Sequence, residues 1–245
     1  MKTKHIIIAF TLLISISSTA QRRQAETIST GLFGKTDPVS VLTIRFEKGK
    51  AHNHPLMAFW LADENGKYIQ TLYVAESIGK GVFRRVDRSS GKWQSGEIQR
   101  PASLPYWAHQ RDVKNASGNY MPTPATAVPD AYTGATPIGS FEYHLITDKK
   151  LNGKYKVFME INQSWDWNQF WHNNKFPDDK EYRTSSQPAL VYEATIDTSK
   201  SDSEFEFRVI GHSHYAGADG KLYTDLSGFS TALDIVKHCI VKLTP

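Results

Sequence analysis

The chain has 245 residues and a formal net charge of +4 at pH 7, with no tract of lysine and arginine, so nothing in it favours nucleic acid as a partner. A single cysteine excludes an intrachain disulfide framework. A chain of this length buries a full hydrophobic core, and we expect one large domain or one with sizeable insertions.

The first element in chain order is an export signal. Two lysines precede an apolar stretch from Ile6 to Ile16, which is too short to span a bilayer as a mature helix, and small residues before Gln21 form a cleavage site. We therefore predict a signal peptide over residues 1–20 and a lead-in over 21–39. The mature protein should be periplasmic or otherwise extracytoplasmic, without a transmembrane span.

Eight short apolar segments separated by turn signals follow, and none keeps a helical period over three turns. Asn65-Gly66 supplies the positive φ angles of a tight hairpin turn. The pattern indicates an all-β fold over residues 40–245, an immunoglobulin-like antiparallel β-sandwich, although a barrel would show the same pattern. The predicted strands are 40–46, 56–62, 68–75, 141–146, 155–161, 190–196, 205–211 and 235–243.

Two stretches interrupt the rhythm of strands, and we predict long loop insertions there. Residues 76–129 are rich in Gly, Ser, Pro and basic residues, and their last part should be extended. Residues 163–188 are dense in aromatic side chains. Loops of this length inside a compact domain are usually functional or poorly ordered.

The stretch that begins at Asp130 reads DAYTGATP. It resembles the acceptor motif for covalent flavinylation in the FMN-carrying subunits of sodium-pumping quinone reductases, where a secreted flavin transferase joins the FMN phosphate to the last threonine and releases AMP from FAD. The resemblance implies FMN on Thr136, with Asp130, Thr133, Gly134 and Ala135 as the signature that the transferase reads. An ordinary turn before a β-strand has the same composition and is the alternative.

A second resemblance covers most of the chain. Residues 54–74, 103–111, 130–139 and 153–161 together resemble a periplasmic family known only as domain of unknown function 2271, with the match running from about Val41 to Leu243. Its members similarly carry a Trp-Leu-x-Asp-x-x-Gly-Lys hairpin, a Gly-Ala-Thr turn and a Gly-x-Tyr strand. The resemblance implies an immunoglobulin-like fold and an association with membrane redox proteins or flavin transferases.

The aromatic stretch offers ring faces on which an isoalloxazine or a sugar could stack. Trp167 and Trp171 are four residues apart, so a short helical turn would place them on one side, and we take both as candidate cofactor-binding residues. The alternative is that the rings cap one end of the sandwich core.

Two His-x-His pairs are weak candidates for a metal site. His212 and His214 would project to one face of an extended segment, and His52 and His54 repeat the spacing. Four imidazoles could hold copper or zinc, but no Asp or Cys joins them at a characteristic spacing, so surface or hydrogen-bonded core histidines are the favoured interpretation.

Motifs of hydrolases are absent from the sequence: it has no Gly-x-Ser-x-Gly elbow, no His-Glu-x-x-His and no phosphate-binding glycine loop. Chemistry would therefore come from a cofactor. We expect a periplasmic electron carrier with covalent FMN on Thr136, a redox carrier rather than a substrate-specific enzyme. Its expected partners are a flavin transferase and a membrane-bound redox protein. The alternatives are a non-catalytic immunoglobulin-like binding or scaffold module and a metal-binding module.

Overall fold

The computed structural model describes residues 28–35, 40–200 and 203–244, and the predicted signal peptide lies outside these ranges. Three short helices are present within them: α1 (Glu76–Lys80), α2 (Pro105–Arg111) and α3 (Tyr182–Ser185). The strands are β1 (Ser29–Phe33), β2 (Val41–Lys48), β3 (Leu56–Asp63), β4 (Tyr68–Ala75), β5 (Val82–Asp87), β6 (Gln94–Glu97), β7 (Thr133–Gly134), β8 (Phe141–Ile146), β9 (Lys154–Asn162), β10 (Leu190–Asp197), β11 (Glu204–Glu206), β12 (Arg208–His212) and β13 (Val236–Thr244).

The strands form two large sheets and a small hairpin. One sheet has five strands in the order β1-β8-β2-β13-β11, the other has six in the order β12-β10-β9-β3-β4-β7, and β5 pairs with β6. The long ladders are antiparallel, whereas the edge strands β1 and β7 pair in parallel with β8 and β4. The prediction of an all-β sandwich is confirmed.

The main core lies between the two sheets. Side chains alternate between the faces of a strand, so Leu42 and Ile44 of β2 point inward, as do Met57, Phe59 and Leu61 of β3. All five are almost fully buried. Burial of this inner layer is the main force that holds the sheets together.

A second core covers the outer face of the six-stranded sheet. Ala58, Trp60 and Ala62 of β3 point away from the main core and are fully buried, because residues 76–132 fold back over them. Trp107 of α2 is among the side chains that pack on this face. Burial on both faces explains why β3 reads as a continuous apolar run rather than an alternating one.

Two strand predictions need correction in detail. The predicted strand 205–211 is split: β11 joins the five-stranded sheet and β12 joins the six-stranded sheet, because the chain crosses between them at Phe207. At the β3–β4 hairpin only Gly66 has a positive φ, of 87°. The Asp63 carboxylate closes the turn by accepting two backbone N–H groups.

The two insertions differ in regularity. Residues 76–129 contain α1, the β5–β6 hairpin, α2 and a 3-10 turn at Pro124–Thr126, more regular structure than a loop. Residues 163–188 contain only α3. None of the helices in the described ranges is long and apolar enough to cross a membrane.

Candidate functional site

The stretch that resembles the flavinylation motif lies at an edge of the six-stranded sheet. Residues Asp130–Tyr132 form a 3-10 turn, and β7 then pairs in parallel with the end of β4, with Thr133 opposite Val74 and Gly134 opposite Ala75. The segment is thus a short edge strand fixed by backbone pairing. Its free side faces away from the centre of the sheet.

The backbone before Thr136 is held by aromatic packing. A Cβ atom on Gly134 would lie 2.7 Å from the Phe33 ring and 2.9 Å from the Tyr73 ring, so no larger residue fits without displacing them. The Tyr73 hydroxyl donates a hydrogen bond of 2.9 Å to the Ala135 carbonyl. The small size of Gly134 therefore has a packing cause inside this chain, apart from any access that it gives to a transferase.

Thr136 lies on the wall of a cleft of about 500 Å³, here called the Thr136 cleft. The threonine is half-buried, and within the described residues its hydroxyl has no hydrogen-bond partner. The hydroxyl is therefore not committed to the fold. The residues that line the cleft are Glu76, Ser77, Lys80, Val82, Phe83, Arg84, Ser95, Gly134, Ala135 and Thr136.

The charged side chains that line the Thr136 cleft are the cations Lys80 and Arg84 and the carboxylate Glu76. The Lys80 ammonium lies 3.0 Å from an Asp130 oxygen and 3.1 Å from a Glu76 oxygen. The hydrogen bond to Asp130, and to a smaller extent that to Glu76, raises the pKa of Lys80. Arg84 is exposed and forms no ion pair within the described ranges. Because Lys80 is already bonded to two carboxylates, Arg84 is the cation that is available to a phosphate group in this cleft.

Lys80 and Arg84 were not predicted from the sequence. Two other cations of residues 76–129 are engaged elsewhere: Arg111 donates to the Thr126 carbonyl at 2.7 Å, and Lys114 lies 5.0 Å from the centre of the Tyr120 ring. Neither lines the Thr136 cleft. The basic stretch after α1 was visible in the sequence, but nothing there showed that it faces Thr136.

The helical turn expected to align Trp167 and Trp171 is not formed. The Asn168 side chain instead accepts the backbone N–H groups of Phe170 and Trp171, at 2.8 and 2.7 Å, and makes a tight turn. Trp167 is 55% exposed, whereas Trp171 is 7% exposed and belongs to the main core. The prediction of one shared stacking face is wrong.

The aromatic loop and Thr136 lie at the same end of the six-stranded sheet but in different cavities. The loop follows β9, and β3 and β4 separate β9 from β7, which places the two backbones roughly 14 Å apart. Neither Trp167 nor Trp171 lines the Thr136 cleft. The two parts of the predicted cofactor site are therefore not brought together.

His212 and His214 line a second cavity of about 430 Å³, the aromatic pocket, with Trp171, Tyr223 and Phe229. Nδ1 of His212 donates to the Ser213 carbonyl at 2.8 Å, and burial lowers the pKa of His212, which favours the neutral ring. His214 uses Nδ1 to accept the Ala216 N–H at 3.1 Å.

The other histidine pair takes no part in that pocket. The His52 ring packs edge-on against Phe46, and exposed His54 has a φ of 53° and contacts the Asn53 side chain. Among the residues that the structure describes, no three His, Cys, Asp or Glu side chains are grouped so that they could hold a metal ion. The four-imidazole site is not formed.

Glu160 of β9 is a buried acidic side chain. It is fully buried in the second core and accepts the backbone N–H groups of Tyr106 at 3.1 Å and Trp107 at 2.7 Å, at the start of α2. Burial raises its pKa to about 8, against these two bonds. Glu160 thus supplies the N-terminal cap that Leu104 cannot.

Comparison with known proteins found no relative: the chain matches no protein-family profile, no curated protein sequence and no solved structure.

Proposed function

We propose that this protein carries FMN covalently on Thr136 and serves as an electron carrier outside the cytoplasm. The observation that carries the proposal is the position of Thr136: its hydroxyl has no partner within the described residues and it shares a cleft with the cations Lys80 and Arg84. The order of residues from Asp130 to Thr136 that resembles the acceptor motif gives the reason to consider FMN in this cleft.

The attachment reaction is a phosphoryl transfer from FAD. The threonine oxygen would attack the phosphorus on the riboflavin side of the diphosphate, a new ester bond would form, and AMP would leave with the bridging oxygen. The hydroxyl proton would pass to a base of the flavin transferase. No electron is transferred in this step, and FAD is its only co-reactant.

The residues around Thr136 fit the product. Arg84 can neutralise the charge of the phosphodiester, and Val82 offers apolar surface to a ring. Asp130, whose side chain is 87% exposed, can be read by a transferase without unfolding. Bound FMN would supply the reversible electron transfer, while the chain supplies position and charge.

The proposed partners and compartment rest on the sequence. The export signal and the acceptor pattern together support a periplasmic location, a flavin transferase as the modifying partner and a membrane-bound redox protein as the electron partner. A covalent bond prevents the loss of FMN where free cofactor is scarce.

Flavin fluorescence in a denaturing gel tests the attachment. The protein is exported from a cell that also exports a flavin transferase, and the wild-type band should fluoresce. Thr136→Ala should abolish the fluorescence, whereas Ser77→Ala, which removes another hydroxyl of the same cleft, should keep it. A dark wild-type band beside a labelled control acceptor would contradict the proposal, as would fluorescence that survives Thr136→Ala.

The aromatic pocket favours a second candidate function, a binding module for an uncharged ring such as a neutral sugar. His212 stacks on Tyr223 with ring centres 5.4 Å apart, and Trp171 and Phe229 close the pocket. Tyr223→Ala should then abolish binding of neutral oligosaccharides in calorimetry, whereas Trp167→Ala should leave it unchanged. Equal affinities of wild type and Tyr223→Ala would count against this function.

A further inference from the structure

A groove of about 440 Å³ lies beside the aromatic loop and apart from the two cavities described above. We call it the basic groove, and the residues that define it are Arg100, Trp165, Asn173, Lys180 and Arg183. Three of its side chains are cations, and no carboxylate lines it. Neither the flavin proposal nor the aromatic pocket uses any of them.

The charges of the basic groove are unbalanced. In residues 28–35, 40–200 and 203–244, none of Arg100, Lys180 and Arg183 forms an ion pair with a carboxylate. The Arg100 guanidinium is half-buried above the Phe83 ring, 4.4 Å from its centre, and burial lowers its pKa. A half-buried cation without a counterion is unfavourable, and an anion bound beside it would offset that cost.

Trp165 is held in a strained conformation beside these charges. Its φ is +63°, in the left-handed region that bulky residues rarely adopt. Its backbone N–H donates to the Ser185 carbonyl at 2.6 Å, and its indole Nε1–H donates to the Arg183 carbonyl at 3.1 Å. These bonds fix the ring while 52% of the side chain stays exposed.

An exposed aromatic ring at a strained backbone position is a feature typical of ligand-binding sites. Asn173 adds a neutral donor, because its side-chain oxygen accepts the Ser186 hydroxyl at 3.2 Å and its amide nitrogen has no partner within the described residues. The groove thus combines an exposed ring face with three cations and one amide donor.

We propose that the basic groove binds a small ligand that carries an anionic group on a ring, with the anion on Arg100, Lys180 and Arg183 and the ring face on Trp165. An acidic sugar and an aromatic phosphate share this chemistry. Binding here is independent of the modification of Thr136.

Calorimetric titration of the mature, unmodified protein tests the proposal. The probes are trigalacturonic acid, its neutral methyl ester and 4-nitrophenyl phosphate. At least one acidic probe should bind, and the acid should bind at least roughly tenfold more tightly than the ester if the ligand is a sugar. The acidic probe that binds shows whether the ligand is an acidic sugar or an aromatic phosphate. No binding of either acidic probe at millimolar concentration, or equal binding of acid and ester, would overturn the proposal.

Variants locate the binding site. Trp165→Gly and Arg100→Gln should each weaken binding of the acidic probe by roughly tenfold or more. Their matched controls are Trp167→Ala, on the same loop and 55% exposed, and Arg208→Gln, a side chain that is 82% exposed; both should bind as the wild type does.

Two further results separate this groove from other effects. Trp165→Gly and Lys180→Gln should both unfold cooperatively, which shows that weaker binding in these variants does not come from loss of the fold. Thr136→Ala should leave binding unchanged, so failure of the flavin proposal would not affect this test. Wild-type affinity in Trp165→Gly, Arg100→Gln and Lys180→Gln would place the ligand elsewhere and contradict the proposal.

Discussion

The outer faces of the two sheets differ in what covers them. On the five-stranded sheet, the Arg45 side chain lies at the surface between Glu142 and Glu204, at 2.8 and 3.3 Å. On the six-stranded sheet, Trp60 and Phe158 stack with ring centres 5.1 Å apart and are buried under residues 76–132. An outward position is therefore exposed in one sheet and part of a core in the other.

The covering segment also builds the site. The Thr136 cleft has one wall from α1 and β5 of this segment and another from the residues around β7, and Arg100 brings the segment to the basic groove. The uncovered face of the five-stranded sheet instead carries paired surface charges. The insertion therefore covers one outer face and contributes walls to two of the clefts, the Thr136 cleft and the basic groove.

Trp60→Ala should have the largest effect of the variants that test the difference between the two outer faces. Trp60 is fully buried in the second core, and its truncation should lower the free energy of unfolding by about 3–5 kcal/mol, the range for a large aromatic residue replaced in a core. Urea denaturation measures the change. A loss below about 1 kcal/mol would show that residues 76–132 do not pack tightly on this sheet.

Glu160→Gln tests how the covering segment is anchored. The substitution keeps the shape of the side chain but replaces one acceptor oxygen with an NH₂ group, which donates. One backbone N–H at the start of α2 therefore loses its partner. The free energy of unfolding should fall by about 1–3 kcal/mol. The control Glu193→Gln, at a half-buried residue paired with Lys156 at 3.1 Å, should cost less. Equal losses in the two variants would contradict the anchoring role.

The pH dependence of stability also tests the role of Glu160. Because the pKa of Glu160 is raised to about 8 in the folded state, the folded protein binds a proton that the unfolded chain releases above pH 4.5. The contribution is fully present below pH 4.5 and is lost as pH rises through 8, with a slope of at most about 1.4 kcal/mol per pH unit. His212 acts in the opposite direction, since its lowered pKa destabilises the fold in acid.

The difference between wild type and Glu160→Gln isolates this term. Urea denaturation of both proteins at several pH values between 5 and 8 should show the stability advantage of the wild type shrinking as pH rises. A constant difference would mean that the two N–H bonds keep the carboxylate ionised throughout.

Arg45→Ala is the smallest expected effect and the counterpart of Trp60→Ala. The Arg45 ion pairs are exposed, so their removal should change the free energy of unfolding by less than about 1 kcal/mol. A loss as large as that of Trp60→Ala would remove the distinction between the two outer faces.

The sequence predicted the parts of the fold that depend on neighbouring residues. The bounds of β4 and β8 agree with their predicted ranges, because alternation and flanking turns define them locally. The burial of Glu160 was not predictable: alternation assigns its side of β9, but a segment some fifty residues away decides whether that side meets water.

The same limit applies to the candidate site. Thr136 and its neighbours were visible as a pattern, whereas the approach of Lys80 and Arg84 depends on the pairing of β7 with β4. The alignment of Trp167 and Trp171 was predicted from spacing alone and failed because the Asn168 side chain closes a turn instead of a helix. Spacing specifies a face only where the local backbone conformation is known.

Peptide mass mapping is the most direct test of the central claim, that Thr136 is the site of attachment. The mature protein is exported with an active flavin transferase, digested and fragmented, and the peptide that contains residues 130–136 is examined. This peptide should gain the mass of FMN less one water, and fragmentation should place the gain on Thr136. An unmodified peptide beside a fully labelled control acceptor, or a gain placed on Thr133, would contradict the claim.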